Sequence, residues 1–272
     1  MPPIQTLRIL FLGDVVGSPG RSTVIEQLPA LKEREGIDFT IVNGENAAGG
    51  RGITPKIAID LLRAGAAVIT TGDHVWDQKE IIDHLPTEPR LLRPLNYPAE
   101  TPGQGSVVLE TDKGKVAVMQ AQGRTFMQPP LDNPFTIAAA EAERLRAEGV
   151  GPIFMDFHAE TTSEKIAMGW AMDGKVSAVV GTHTHVQTAD ERILPEGTGY
   201  LTDAGMCGPE DSVLGRNIES VVWRFKSNMP TRFPVAEGPV RLCGVIVDVD
   251  AESGRCLEIR RVSELFGASE RR

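Results

Sequence analysis

Val176-Ser177-Ala178-Val179-Val180-Gly181-Thr182-His183-Thr184-His185 is an apolar, β-branched run that closes on a polar His-x-His tip. Such a run reads as a strand buried on both faces. Two of the chain's five histidines stand at its end. If the strand continues through the tip, residues i and i+2 face the same way, so both imidazoles reach one site. Buried strands of α/β folds present ligand-binding groups at their carboxyl ends. Taken alone, the tip reads equally as two surface histidines in a turn. The rest of the chain decides between the two.

Other strand-like runs end in the same way. Leu7–Leu12 runs into Gly13-Asp14, and Phe39–Val42 into Asn43-Gly44-Glu45-Asn46. Ala67–Ile69 leads to Thr70-Thr71-Gly72-Asp73-His74, and Ile153–Phe157 leads to His158. One acidic strand end is ordinary, since Asp and Asn open turns and cap helices. Several such ends that together hold four of the five histidines are a ligand set. Its oxygen and imidazole donors suit manganese, iron or zinc. There are more donors than a mononuclear site needs, so a two-metal centre fits them better.

Strand and helix signals alternate to about residue 85 and again from 134 to 182, the pattern of an α/β fold. Helices are expected over 19–35, from Thr54-Pro55 onward, over 78–85 and over 134–148. Thr161 and Glu164 offer a capping box for another that ends near Met172. Two stretches depart from the alternation. Ser106–Glu110 and Lys115–Met119 flank a hairpin turn, and Arg241–Val249 pairs with Cys256–Val262. These are expected to form a second, more antiparallel sheet packed on the first. Residues 205–239, rich in Gly, Pro and Asn, read as a long loop or lid. Residues 1–272 read as one domain.

With 41% apolar and 24% charged residues the chain has the composition of a soluble globular protein. Its net charge of −9 argues against gripping long nucleic acids by their backbone. Cys207, Cys243 and Cys256 lack metal-type spacing, and an odd number cannot all pair within the chain. Cys243 and Cys256 read as buried free thiols, and Cys207 stands in an expected tight turn. No signal-peptide pattern opens the sequence and no stretch is long and apolar enough for a membrane span, so a cytoplasmic protein is expected. Homo-oligomerisation stays open.

In order, Gly13-Asp14, Gly44-Glu45-Asn46, Gly72-Asp73-His74, His158 and the His183-Thr184-His185 tip resemble the ligand blocks of the calcineurin-like metallophosphoesterases. Val16 stands where that superfamily usually has a His, and Glu45 where it usually has Asp. Both departures resemble the YmdB-type branch of bacterial phosphodiesterases. So do Phe11–Gly17, Asn43–Ala47, His74-Val75-Trp76-Asp77 and Asp156–Lys165. Asp73 departs from the Asn usual before the catalytic His, which adds a negative charge to the site.

The resemblance implies a sandwich of two mixed β-sheets flanked by helices. It implies one metal held by Asp14, Glu45, Asn46 and His185, and a second by Glu45, Asp73, His158 and His183, with Glu45 bridging. A carboxylate has the lone pairs for that role. Iron or manganese is the implied metal, with zinc compatible. A hydroxide shared by the metals would attack phosphorus while His74 protonates the leaving alkoxide. His74 as a further metal ligand stays open. The implied substrate is a small phosphodiester, especially a 2′,3′-cyclic nucleotide opened to a 3′-nucleotide. Alternatives are a phosphomonoesterase with the same metal core, and a regulatory protein that binds a nucleotide or RNA fragment with little turnover. A C–N hydrolase fits the ordered blocks poorly. His84 reads as a solvated helix residue. Arg51 and Arg124 read as surface arginines within reach of a phosphate.

Overall fold

The computed structural model describes residues 4–267. Alternation along the first strand sets the layers. In β1 (Thr6–Leu12), Ile9 and Phe11 join one hydrophobic cluster and Leu10 and Leu12 another, because successive strand side chains face opposite ways.

The chain continues through β2 (Asp14–Val15), α1 (Gly17–Glu35), β3 (Phe39–Asn43), α2 (Pro55–Arg63), β4 (Val68–Thr70) and the single-turn α3 (Ile81–His84). Then follow β5 (Ser106–Thr111), β6 (Gly114–Gln122), α4 (Pro134–Ala147), β7 (Ile153–His158), α5 (Thr162–Met172) and β8 (Ala178–Thr182). Short strands β9 (Arg192–Ile193), β10 (Gly199–Leu201) and β11 (Met206–Pro209) lead to α6 (Ile218–Ser227). Long β12 (Val240–Asp250) and β13 (Cys256–Phe266) close the described chain.

One sheet runs β2-β11-β12-β1-β3-β4, with β13 also on β12, and the other runs β5-β6-β7-β8-β10-β9. Both are mixed. β1, β3 and β4 pair in parallel, as do β6, β7, β8 and β10, whereas the hairpins are antiparallel. Ile9, Phe11 and Ile41 meet Val118, Phe154 and Val180 between the sheets, with the Phe11 and Phe154 rings 5.1 Å apart. Val24, Leu28 and Leu61 of α1 and α2 cover the outer face of the first sheet. Ala138, Ala142, Met168 and Met172 of α4 and α5 cover that of the second. The result is the expected sandwich of two mixed sheets flanked by helices.

Several local expectations are met by the physics that suggested them. Thr54 caps α2 by accepting from the Ile57 amide at 3.4 Å, with Pro55 in the first turn. The three cysteines are free and buried.

Others are corrected. The two hairpins do not share a second sheet: β5–β6 joins β7, while β12–β13 lies against β1 in the first sheet. Long-range pairing partners are not encoded in a hairpin's own residues. The capping box does not form. Thr161 makes no side-chain cap bond, and Glu164 instead accepts from the amides of Arg124 and Thr125, at 3.0 and 3.1 Å. The 78–85 helix shortens to α3. Cys207 lies buried in β11, its thiol 3.3 Å from the Cys243 carbonyl, so the turn is made at Gly205 and not at the cysteine. The 205–239 stretch contains β11 and α6 rather than a continuous loop. His84 is half-buried, and its Nε2 has no hydrogen-bond partner among the described residues.

Candidate metal centre

Parallel strands β1, β3, β4, β7 and β8 bring their carboxyl ends to one edge of the sandwich, and each releases a polar residue there. Asp14 follows β1 and is fully buried, with Oδ2 accepting from the His183 amide at 3.1 Å. Its Oδ1 accepts no hydrogen bond among the described residues, the His158 ring lying 3.9 Å away. Glu45 follows β3, 1% exposed, with Oε2 3.1 Å from His158 Nε2 but no aligned hydrogen bond. Two buried carboxylate oxygens left without donors are costly unless a cation satisfies them.

The donors fall into two groups that share Glu45. Ligand atoms of Glu45, Asp73, His158 and His183 all lie within 4.8 Å of one another, and so do those of Asp14, Glu45 and His185. Asn46 belongs to the second group: its amide lies 2.7 Å from Glu45 Oε1 and 3.1 Å from His185 Nε2. Rotating the amide by half a turn would present its oxygen to the same place. Asp73 Oδ1 stands 3.0 Å from His158 Nε2 and 3.3 Å from His183 Nδ1. The crowding requires a glycine at position 72, where a Cβ would sit 2.6 Å from His158 Cδ2 and still closer to Glu45 Oε2.

Backbone and neighbours fix the His158 and His185 imidazoles. Thr182 Oγ1 donates to Asp156 Oδ1 at 2.7 Å, so it must accept from His158 Nδ1, 2.9 Å away. That leaves His158 Nε2 turned to the carboxylates as a ligand atom. Asp156 also accepts from Thr70 Oγ1 at 2.6 Å and Asn43 Nδ2 at 3.0 Å, and burial pushes its carboxyl up to about 6. His185 Nδ1 lies 3.1 Å from the Leu214 carbonyl and donates to it, which frees Nε2 for the centre. Burial lowers the His185 pKa and so favours the neutral imidazole that a metal needs. Burial also opposes charging His158, but Glu45 and Asp73 override it and hold its pKa well above the ordinary value. Burial pushes the Asp14 carboxyl up to about 7. An acidic cluster in this state offers protons that a cation would displace.

The His-x-His tip converges by a different route from the one its spacing suggests. β8 ends at Thr182, and His183 and His185 take left-handed φ of 96° and 65°. The tip is a turn, and its two rings serve different donor groups.

His74 stands outside both groups. Its Nδ1 lies 3.2 Å from Asp77 Oδ2 and 3.5 Å from Arg51 Nη2, and its side chain borders a cavity of about 330 Å³ with Glu45, His183 and His185. Glu160, Leu214 and Arg216 line the same cavity. Arg51 reaches this rim and donates to Asp77 at 2.8 Å.

Comparison with known proteins shows the family. The profile of the YmdB-like protein family matches residues 10–262. The chain belongs to that family. It is 53% identical over 256 residues to the 2′,3′-cyclic-nucleotide 2′-phosphodiesterase of Bacillus subtilis (strain 168), covering 94% of this chain and 96% of the relative. Among solved structures, a novel phosphatase from Mycoplasma pneumoniae superposes with a TM-score of 0.90 at 36% identity, over 97% of this chain and 95% of that one. A hypothetical protein from Thermus thermophilus does so with 0.88 at 39% identity, over 95% and 99%.

Family membership alone does not single out the residues that hold the ligands in place. Asp156, Glu160 and Lys165 lie inside the Asp156–Lys165 string, yet nothing in the string says which face the metals and which brace the ligands. Asp203, Leu214 and Arg216 carried no sequence signal, because their roles arise from contacts with distant segments.

Proposed function

We propose that the chain is a metal-dependent phosphodiesterase of small phosphodiesters, with 2′,3′-cyclic nucleotides opened to 3′-nucleotides as the favoured reaction. One observation carries this reading: two donor groups meet on a single buried carboxylate, Glu45, beside a histidine that belongs to neither. Asp14 Oδ1 and Glu45 Oε2, which accept no hydrogen bond among the described residues, fit cations. Asp14, Glu45, Asn46 and His185 would hold one metal, and Glu45, Asp73, His158 and His183 the other. Oxygen and nitrogen donors without thiolate favour manganese or iron. A bound metal pair supplies neutralisation of phosphoryl charge and a lowered pKa for the attacking water.

The chain's own residues do the rest. In its imidazolium form, with Nδ1 toward Asp77 at 3.2 Å, His74 would carry the transferable proton on Nε2. As water adds to phosphorus and the P–O2′ bond breaks, His74 gives that proton to the departing O2′, so the 3′-phosphate remains on the product. A cavity of about 330 Å³ has room for a nucleotide-sized ligand. The name of the Bacillus subtilis relative supports the same substrate.

The test is product analysis with manganese-loaded protein and 2′,3′-cyclic AMP, beside a chelated sample and His74→Ala. The expected result is 3′-AMP only with metal and His74. Full turnover by His74→Ala would remove that residue from the mechanism, and no product under any metal would sink the diesterase reading.

A further inference from the structure

Arg216 is the one guanidinium or ammonium group among the described residues lining the cavity, whose wall otherwise carries Glu45, Glu160 and neutral or imidazole side chains. It stands on the segment between β11 and α6 whose Leu214 carbonyl accepts from His185. The residue is half-buried. Its Nη1 donates to the carbonyls of Phe233 at 3.1 Å and Gly49 at 3.4 Å, and Nη2 donates to that of Gly50. These partners are all main-chain oxygens, so the positive charge is positioned but not neutralised. Gly50, at φ 90°, makes room for it: a Cβ there would lie 2.6 Å from Arg216 Cζ.

A guanidinium has five N–H bonds. The carbonyls engage Nη1 and Nη2, and no acceptor among the described residues takes the Nε–H. The Nε–H and one Nη2–H share an edge of the plane, and Nη2 has a second hydrogen beside the one given to Gly50. Two parallel donors on one edge match two oxygens of a phosphate. We propose that Arg216 is the phosphate-binding residue of this site, meeting the oxygens of the scissile phosphodiester through its Nε/Nη2 edge. The assignment rests on the phosphodiesterase reading above. It gives the 205–239 stretch a role in substrate binding, since the same segment fixes His185 and carries the anion-binding charge.

The experiment compares wild type, Arg216→Gln and Arg216→Lys as full-length, manganese-loaded proteins. Kinetics with 2′,3′-cyclic AMP, calorimetric binding of inorganic phosphate, bound metal per chain and Tm are measured for each. Arg216→Gln is expected to raise KM and the phosphate Kd by about tenfold or more, as loss of a charge-assisted bond does, with kcat falling less. Arg216→Lys should recover part of the loss, because the charge returns without the fork. Bound metal should stay the same in all three, while Tm falls modestly in Arg216→Gln because the Gly49, Gly50 and Phe233 carbonyls lose their donor. Unchanged KM and phosphate Kd in Arg216→Gln would overturn the assignment. So would a loss of bound metal in Arg216→Gln, which would make Arg216 a strut of the loop. If wild type opens no cyclic nucleotide, the diesterase reading falls alone and phosphate affinity still decides. Weakened binding in Arg216→Gln then sustains the role, and equal binding, or none in wild type, rejects it.

Discussion

Lys165 Nζ lies 2.6 Å from Asp203 Oδ2, and both side chains are 1% exposed. The same carboxylate oxygen accepts from Thr184 Oγ1 at 2.7 Å and from the Thr184 amide at 3.2 Å. Asp203 Oδ1 takes the Gly205 amide at 2.8 Å. A buried ion pair thus holds the residue between His183 and His185, whose left-handed backbone the tip itself does not favour. Removing one partner leaves a buried charge uncompensated, so Lys165→Met should lose about 3–5 kcal/mol of stability. Urea unfolding checks this, and a loss below about 1 kcal/mol would show the pair to be dispensable. The double variant Lys165→Met/Asp203→Asn should lose less than the two single changes summed.

Gly72 tests whether the site tolerates any added volume. A Cβ there would press on Glu45 Oε2 and His158. Gly72→Ala is therefore expected to keep the fold, read by circular dichroism, while binding much less metal. Full metal occupancy in Gly72→Ala would mean that Glu45 and His158 can move apart without cost.

Thr182 links Asp156 to His158. Thr182→Val preserves shape but removes both hydrogen bonds, which frees the His158 ring and leaves Asp156 short of a donor. Metal affinity should fall by roughly 10–100-fold, the usual cost of losing the group that orients a ligating imidazole. Equilibrium dialysis against a metal buffer measures it, and an unchanged affinity would place the orienting force elsewhere.

The thiols predict an alkaline limit. Burial pushes Cys243 up to about 11 and Cys256 up to about 12, and holds Cys207 well above its ordinary value. A group whose folded pKa is raised keeps its proton in the native state after the unfolded chain has lost it. Its contribution is intact below the unfolded value of about 8.5 and drains away as pH rises toward the folded value. Native protein should show no thiol reaction with a disulfide reagent at pH 8, with all three cysteines titrating in denaturant. Stability should decline from about pH 9 upward. Rapid reaction of any native thiol at pH 8 would contradict its burial.

The local part of this protein was legible in its residues. Short apolar runs that stop at Gly-Asp, Asn-Gly-Glu-Asn, Gly-Asp-His or His make buried strands with polar ends, because strand propensity and burial act on neighbours in sequence. Parallel pairing then requires those ends to lie on one edge, and Asp14, Glu45, Asp73, His158, His183 and His185 meet there. The tertiary structure decided what depends on distant partners. It put the β12–β13 hairpin beside β1 rather than beside β5–β6, since a hairpin's own residues do not choose its neighbour. It drew Glu164 from its own helix cap to the Arg124 and Thr125 amides of a distant segment. It turned His183 and His185 to opposite donor groups by a left-handed turn braced from Asp203. And it carried Arg216 to the cavity, because only the closed chain brings the Gly49 and Gly50 carbonyls within reach of its guanidinium.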